Sequence, residues 1–171
     1  MFFALWPPER TAARLARWAQ DLAGELGGRA TRQETIHLTL AFLGEIDAAR
    51  IDPAIAAAAA VHAPAHKLLI ENAAYWPHNR ILWVGPQRTP APMARLAREL
   101  GKALRRADFA LERRPFAAHV TLIRKARAPR SLPPLPMVEW PVNEFVLVRS
   151  LLSTEGAQYA VLARFPLQGR S

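Results

Sequence analysis

The sequence predicts an α+β fold of one domain, residues 1–171, in two similar halves, approximately 1–86 and 87–171. Three observations point there. Apolar residues recur with the 3.6-residue period of a helix in some stretches and with period two in others. Several strand-like stretches follow one another through short connections, which favour antiparallel pairing. One tetrad is written twice, His37-Leu38-Thr39-Leu40 and His119-Val120-Thr121-Leu122, 82 residues apart in a chain of 171. The expected architecture is therefore two mostly antiparallel sheets facing a central cleft, with helices outside.

Residues 2–6 read as a short buried strand. Pro7, Pro8 and Glu9 open a helix, since proline suits a first turn. Its apolar stripe is Leu15, Trp18, Leu22 and Leu26, and Gly27-Gly28 stops it. Ile36, Leu38, Leu40 and Phe42 then alternate with His37, Thr39 and Ala41, which is a strand closed by Gly44. Asp52-Pro53 predicts the cap and first turn of an alanine-rich helix reaching about Val61. Two strands are expected at 67–75 and 80–84, with Pro77, His78 and Asn79 in the turn between them. Thr89-Pro90 starts a helix with Met93, Leu96, Leu100 and Leu104 on one face, and a strand is expected from Phe116 to Ile123. Residues 126–141 hold five prolines and read as a surface loop. The last two strands are expected at 143–152 and 157–166, turning near Glu155-Gly156.

Composition narrows the chemistry. Apolar residues make up 51% of the chain and charged residues 22%, enough for a core and against disorder. No cysteine is present, which excludes a disulfide framework, a thiolate metal site and a cysteine nucleophile. The longest aliphatic run, Ala54 to Val61, is far short of the roughly 20 residues of a membrane span. Met1 to Trp6 lacks the basic flank of a signal peptide, so a cytoplasmic protein is expected, with no membrane partner. The net charge of +9 favours polyanionic partners. Residues 98–130 hold ten Lys and Arg against three acidic residues, which is either an electrostatic track for an RNA backbone or a solvated helix face.

Either tetrad alone is an ordinary strand with a satisfied histidine. Two copies in matching strands point instead to one site holding two imidazoles and two hydroxyls. Two histidines can divide general base and general acid between them, because imidazole titrates near neutral pH. The hydroxyls of Thr39 and Thr121 can donate to non-bridging phosphate oxygens. Neither tetrad carries the carboxylates that usually hold magnesium, and neither metal nor cofactor is expected.

With these residues in view, the sequence resembles the two-histidine phosphoesterase superfamily. Within it the chain is similar to the bacterial RNA 2′,3′-cyclic phosphodiesterases of LigT-like fold, also described as 2′-5′ RNA ligases. The likeness runs through Phe2-Phe3-Ala4-Leu5-Trp6-Pro7, His37 to Gly44, Arg80-Ile81-Leu82-Trp83-Val84-Gly85, His119 to Lys125, Val148-Arg149-Ser150, Gly156 and Tyr159. The family commonly has Arg-Pro just before the second tetrad, where this chain has Ala117-Ala118. The resemblance implies a bilobal LigT-like fold, a single monomeric unit, and hydrolysis of a 2′,3′-cyclic phosphate at an RNA end or on a nucleotide to a 2′-phosphate. It implies His119 as the base that activates water, His37 as the acid for the leaving 3′ oxygen, and Thr39, Thr121 and Arg124 as phosphate holders. Strict alternation turns Arg124 away from the face of His119 and Thr121, so the strand must end, bend or bulge near Ile123. Alternatives are 2′-5′ ligation in the reverse direction, another cyclic phosphate as substrate, and a non-catalytic RNA-binding module.

Other candidates read more plainly. His62 and His66 have a helical metal spacing, but Pro64 between them makes them loop residues. His78 belongs to a surface turn, on the rim of the cleft at most. Phe42 and Trp76 are candidates for base stacking, with Phe42 assigned to the core by its parity. No Gly-x-Ser-x-Gly and no phosphate-binding glycine loop occurs.

Overall fold

The computed structural model describes residues 1–112, 114–153 and 156–169. The strands are β1 (Phe2–Leu5), β2 (Arg29–Ala30), β3 (Leu38–Phe42), β4 (His66–Ile70), β5 (Asn72–Trp76), β6 (Ile81–Gly85), β7 (Val120–Arg124), β8 (Val138–Val142), β9 (Glu144–Ser153) and β10 (Gly156–Pro166). The α-helices are α1 (Glu9–Leu26), α2 (Ile51–Ala59) and α3 (Ala91–Arg106). The turn expected near Glu155-Gly156 falls largely outside the described residues.

The two long helices follow their stripes. Leu15, Trp18 and Leu22 of α1 are buried, as are Met93, Leu96, Leu100 and Leu104 of α3. Both start directly after a proline, and α1 ends at Gly27 with a positive φ of 65°.

The strands form one large sheet in the order β10-β9-β1-β3-β7-β6-β5, with β2 also paired to β7, and a small sheet of β4 and β8. All ladder pairings among the described residues are antiparallel. The large sheet has two lobes. β10, β9, β1 and β3 form one, with α2 and α3 packed on it; β7, β6, β5 and β2 form the other, with α1 packed on it. Each lobe draws strands from both sides of residue 86. The main core lies between sheets and helices and includes Phe3, Leu5, Leu38, Val120, Leu122 and Trp140.

Four local expectations change. The proline-rich stretch contains β8, whose Val138, Trp140 and Val142 face the core while Glu139 and Pro141 face out. Among the described residues β8 pairs only with β4, and an edge strand tolerates a proline that a central strand does not. The single strand expected at 67–75 is two, because Leu68 and Ile70 join the small sheet and residues 72–76 join the large one. His66 therefore begins a strand, paired with Val142, and is not a loop residue. In α2, Asp52 and Pro53 sit inside the first turn, since the helix begins at Ile51.

Gly85 ends β6 against the backbone just before His119. A Cβ there would lie 2.5 Å from the Ala118 carbonyl oxygen. Gly85→Ala is expected to destabilise the fold by about 1–3 kcal/mol, an overpacking cost, measured as a lower denaturant midpoint. Unchanged stability would mean that these two segments do not touch.

Candidate active site

Among the described residues the strands of the two lobes are joined by a single registered pair, Leu38 of β3 against Val120 of β7. These are equivalent residues of the two tetrads, so a local two-fold axis runs through the pair. His37 and His119 are therefore related across the seam, and so are Thr39 and Thr121.

The symmetry extends outward. Phe2, Phe3, Ala4 and Leu5 of β1 pair with Phe42, Ala41, Thr39 and Leu38. Ile81, Leu82, Trp83 and Val84 of β6 pair with Arg124, Ile123, Thr121 and Val120. Both registers shift at the same place, skipping Leu40 in β3 and Leu122 in β7. Each shift is a bulge that puts two residues against one and breaks strict alternation. In β7 the consequence is visible in burial, since Leu122 and Ile123 are both fully buried and Arg124 is exposed. Arg124 thereby lines the same cleft as His119 and Thr121. The mirrored bulge corrects the reading of Phe42, which is 57% exposed and lines the cleft instead of the core.

Both imidazoles are held alike. His37 Nδ1 lies 2.7 Å from the Thr35 carbonyl and His119 Nδ1 lies 2.9 Å from the Ala117 carbonyl, two residues back in each case. A carbonyl only accepts, so Nδ1 carries the proton and donates it, which leaves Nε2 of each ring for chemistry.

Their surroundings differ. His37 is stacked on Phe2 at 4.8 Å and on Trp6 at 5.3 Å, with the edge of Tyr159 at 5.3 Å. Beneath it Phe2, Ala4, Val146 and Val148 form a separate small apolar cluster. His119 has Trp76 against it at 4.7 Å. Burial is the main cause that lowers both imidazoles below their ordinary pKa, against the pull of the Thr35 and Ala117 carbonyls. The positive charge of Arg124 lowers both further, and His119 also lowers His37.

The cleft has a volume of about 1060 Å³ and takes in both histidines, both threonines and Arg124. The end of β7 is clamped from two sides. Arg80, itself at a positive φ of 57°, donates from Nε to the Ala126 carbonyl and from a terminal nitrogen to the Lys125 carbonyl. The Tyr75 hydroxyl donates to the Ala126 carbonyl at 3.1 Å. Gly28, at φ 84°, approaches so closely that a Cβ would lie 2.6 Å from the Arg124 carbonyl oxygen. Among the described residues no group of three or more His, Cys, Asp or Glu is arranged to hold a metal ion.

The family model described as LigT like Phosphoesterase matches residues 5–83. The RNA 2′,3′-cyclic phosphodiesterase of Escherichia coli strain K12 is 30% identical over 169 residues, spanning 98% of this chain and 96% of that relative. The chain belongs to the LigT-like phosphoesterase family. A second LigT-like relative, the RNA 2′,3′-cyclic phosphodiesterase of Thermus thermophilus, is 32% identical over 181 residues, spanning 99% of this chain and 90% of its own. Among solved structures, E. coli LigT in apo form superposes with a TM-score of 0.90 at 30% identity, over 98% of this chain and 96% of that one. E. coli LigT complexed with 3′-AMP gives 0.90 at 29% identity, over 97% and 96%.

As a LigT-like phosphoesterase the chain brings together all five residues singled out from its sequence: His37, Thr39, His119, Thr121 and Arg124. Trp76 and His78 also line the cleft. Of the basic stretch, Arg98, Arg105, Arg114 and Arg124 line it, whereas Arg127 donates to the Glu25 and Leu26 carbonyls at the end of α1; Arg113 lies outside the described residues. Sequence reasoning assigned no contact with His37 to Phe2 and Trp6, whose signals were their place in an opening strand and in the stretch that carries the family resemblance. It also passed over Arg29 and Arg32, which reach the cleft because β2 pairs with β7.

Proposed function

We propose that this LigT-like phosphoesterase hydrolyses 2′,3′-cyclic phosphate, at the ends of RNA or on free nucleotides, to a 2′-phosphate. The observation that carries the reading is the pair of symmetry-related imidazoles, each with Nδ1–H tied to a carbonyl and Nε2 left over, in one cleft with two threonines and Arg124. His119 Nε2 takes a proton from water as the water oxygen bonds to phosphorus. The bond from phosphorus to the 3′ oxygen breaks, and that oxygen takes the proton of His37 Nε2. Thr39 and Thr121 donate to the non-bridging oxygens, and Arg124 balances charge that grows on them in the transition state. The two lobes work as one unit over residues 1–171, as a monomer in the cytoplasm.

The test is incubation of the purified protein with a 2′,3′-cyclic nucleotide and identification of the product isomer. A 2′-phosphate is expected, at an undiminished rate in EDTA because two imidazoles supply both proton transfers. Binding without turnover would favour a non-catalytic RNA-binding module, and collapse of the rate in EDTA would overturn the metal-free scheme.

A further inference from the structure

The two-fold arrangement of the site breaks down beside α3. The stripes Leu15-Trp18-Leu22-Leu26 and Met93-Leu96-Leu100-Leu104 have the same spacing, so Ala16 and Ala19 of α1 correspond to Ala94 and Ala97 of α3. In α1 that flank is closed: Ala16 and Ala19 are buried, and α1 contacts β8, where the Thr11 hydroxyl donates to the Glu139 carbonyl. In α3 it is open, and Ala94 and Ala97 line the cleft together with Arg98, Gly101 and Arg105. The strand edge differs in the same sense. β2 lies along β7 at Ile123 and Arg124, while the mirrored place beside Ala41 and Phe42 of β3 carries no strand among the described residues. The connection from the α3 stripe to the second tetrad is four residues longer than its counterpart and forms no strand among its described residues.

We infer that this open arm of the cleft, between α3 and the β3 edge, is the seat of the RNA segment upstream of the terminal cyclic phosphate. The inference rests on the phosphodiesterase reading and adds to it a site for single-stranded RNA. Three features fit that occupant. The arm is continuous with the cleft that holds the two histidines. Its small side chains let a backbone approach the helix, and Arg98 and Arg105 stand two turns apart on its wall, about 10 Å along the axis. Phe42 offers an exposed ring on the opposite wall, a sequence-tolerant platform for a base. The arginines are available to phosphate. Among the described residues Arg98 is paired with half-buried Glu99 at 3.1 Å, an oxygen that Lys102 shares at 3.3 Å, and Arg105 lies back over Gly101, donating weakly to its carbonyl at 3.4 Å. Glu112, which also lines the cleft, is paired with Arg114 at 3.7 Å.

The experiment compares kcat/KM on a 2′,3′-cyclic mononucleotide with that on a trinucleotide ending in the same group, in wild type and in the double variant Arg98→Ala/Arg105→Ala. Wild type is expected to favour the trinucleotide by about tenfold at low salt, with the preference fading as salt rises. The double variant is expected to bring the ratio close to one. Each protein supplies its own mononucleotide rate as reference, so a general loss of activity does not mimic the effect. A wild-type ratio near one, or a ratio unchanged in the variant, overturns the inference and leaves the phosphodiesterase reading standing. No turnover of either substrate by wild type overturns that reading, and the inference with it.

Discussion

His37→Ala and His119→Ala should each lower turnover of a 2′,3′-cyclic nucleotide by about 10²–10⁴-fold, the range of a positioned general acid or base. The double variant should be little worse than either single one, because two groups that move protons in one step act as a unit and their losses do not add. Far-ultraviolet circular dichroism should be unchanged in all three. Thermal stability separates the singles. His37 is packed against Phe2, Trp6 and Tyr159, so its removal should cost about 1–2 kcal/mol through lost aromatic contacts. His119 sits at a more open position and should cost less. A purified variant of either histidine with near-normal turnover would remove that histidine from the mechanism.

Arg124→Gln should lower kcat/KM by about 10²-fold, the scale of losing one charged contact to a developing oxyanion, and should also move the pH profile. The scheme needs one neutral and one protonated imidazole. In the free enzyme both are held below their ordinary value, first by burial and also by Arg124. The bell in kcat/KM should therefore lie on the acid side of 6.5, the ordinary imidazole value, and the rate should be lower at pH 8 than at pH 6. The two limbs belong to the pair, since protonating His119 also disfavours a proton on His37. Removing the guanidinium removes a charge that disfavours both imidazolium forms, so both limbs should shift to higher pH. A profile that stays in place would show that Arg124 does not face the histidines, and a downward shift would contradict the sign of its charge.

What the sequence made legible follows its periodicities. The stripes of α1 and α3 and the alternation around each tetrad were enough for the elements that hold the site, and the duplication was enough to pair His37 with His119. Parity failed at one feature, met twice. A bulge leaves no mark in alternation before its partner strand is known, so Phe42 reads as core and Arg124 as turned away. The resemblance marked Arg124 as a phosphate holder, and that role required a break in the strand. No such demand fell on Phe42. The environment of His37 was not legible for another reason. Phe2 and Trp6 at one end of the chain and Tyr159 near the other meet the ring only through the order β10-β9-β1-β3.

That strand order also governs when the protein can finish folding. β1 is buried at all four residues and lies between β3 and β9, so one of its neighbours is supplied only when residues 144–153 have been synthesised. Until then an apolar strand has an unpaired edge, and the seat of the His37 ring lacks Val146, Val148 and Tyr159. Nucleation from the amino-terminal segment alone is therefore disfavoured by long-range loop closure, and the nascent chain depends on late-emerging residues to cover a sticky edge.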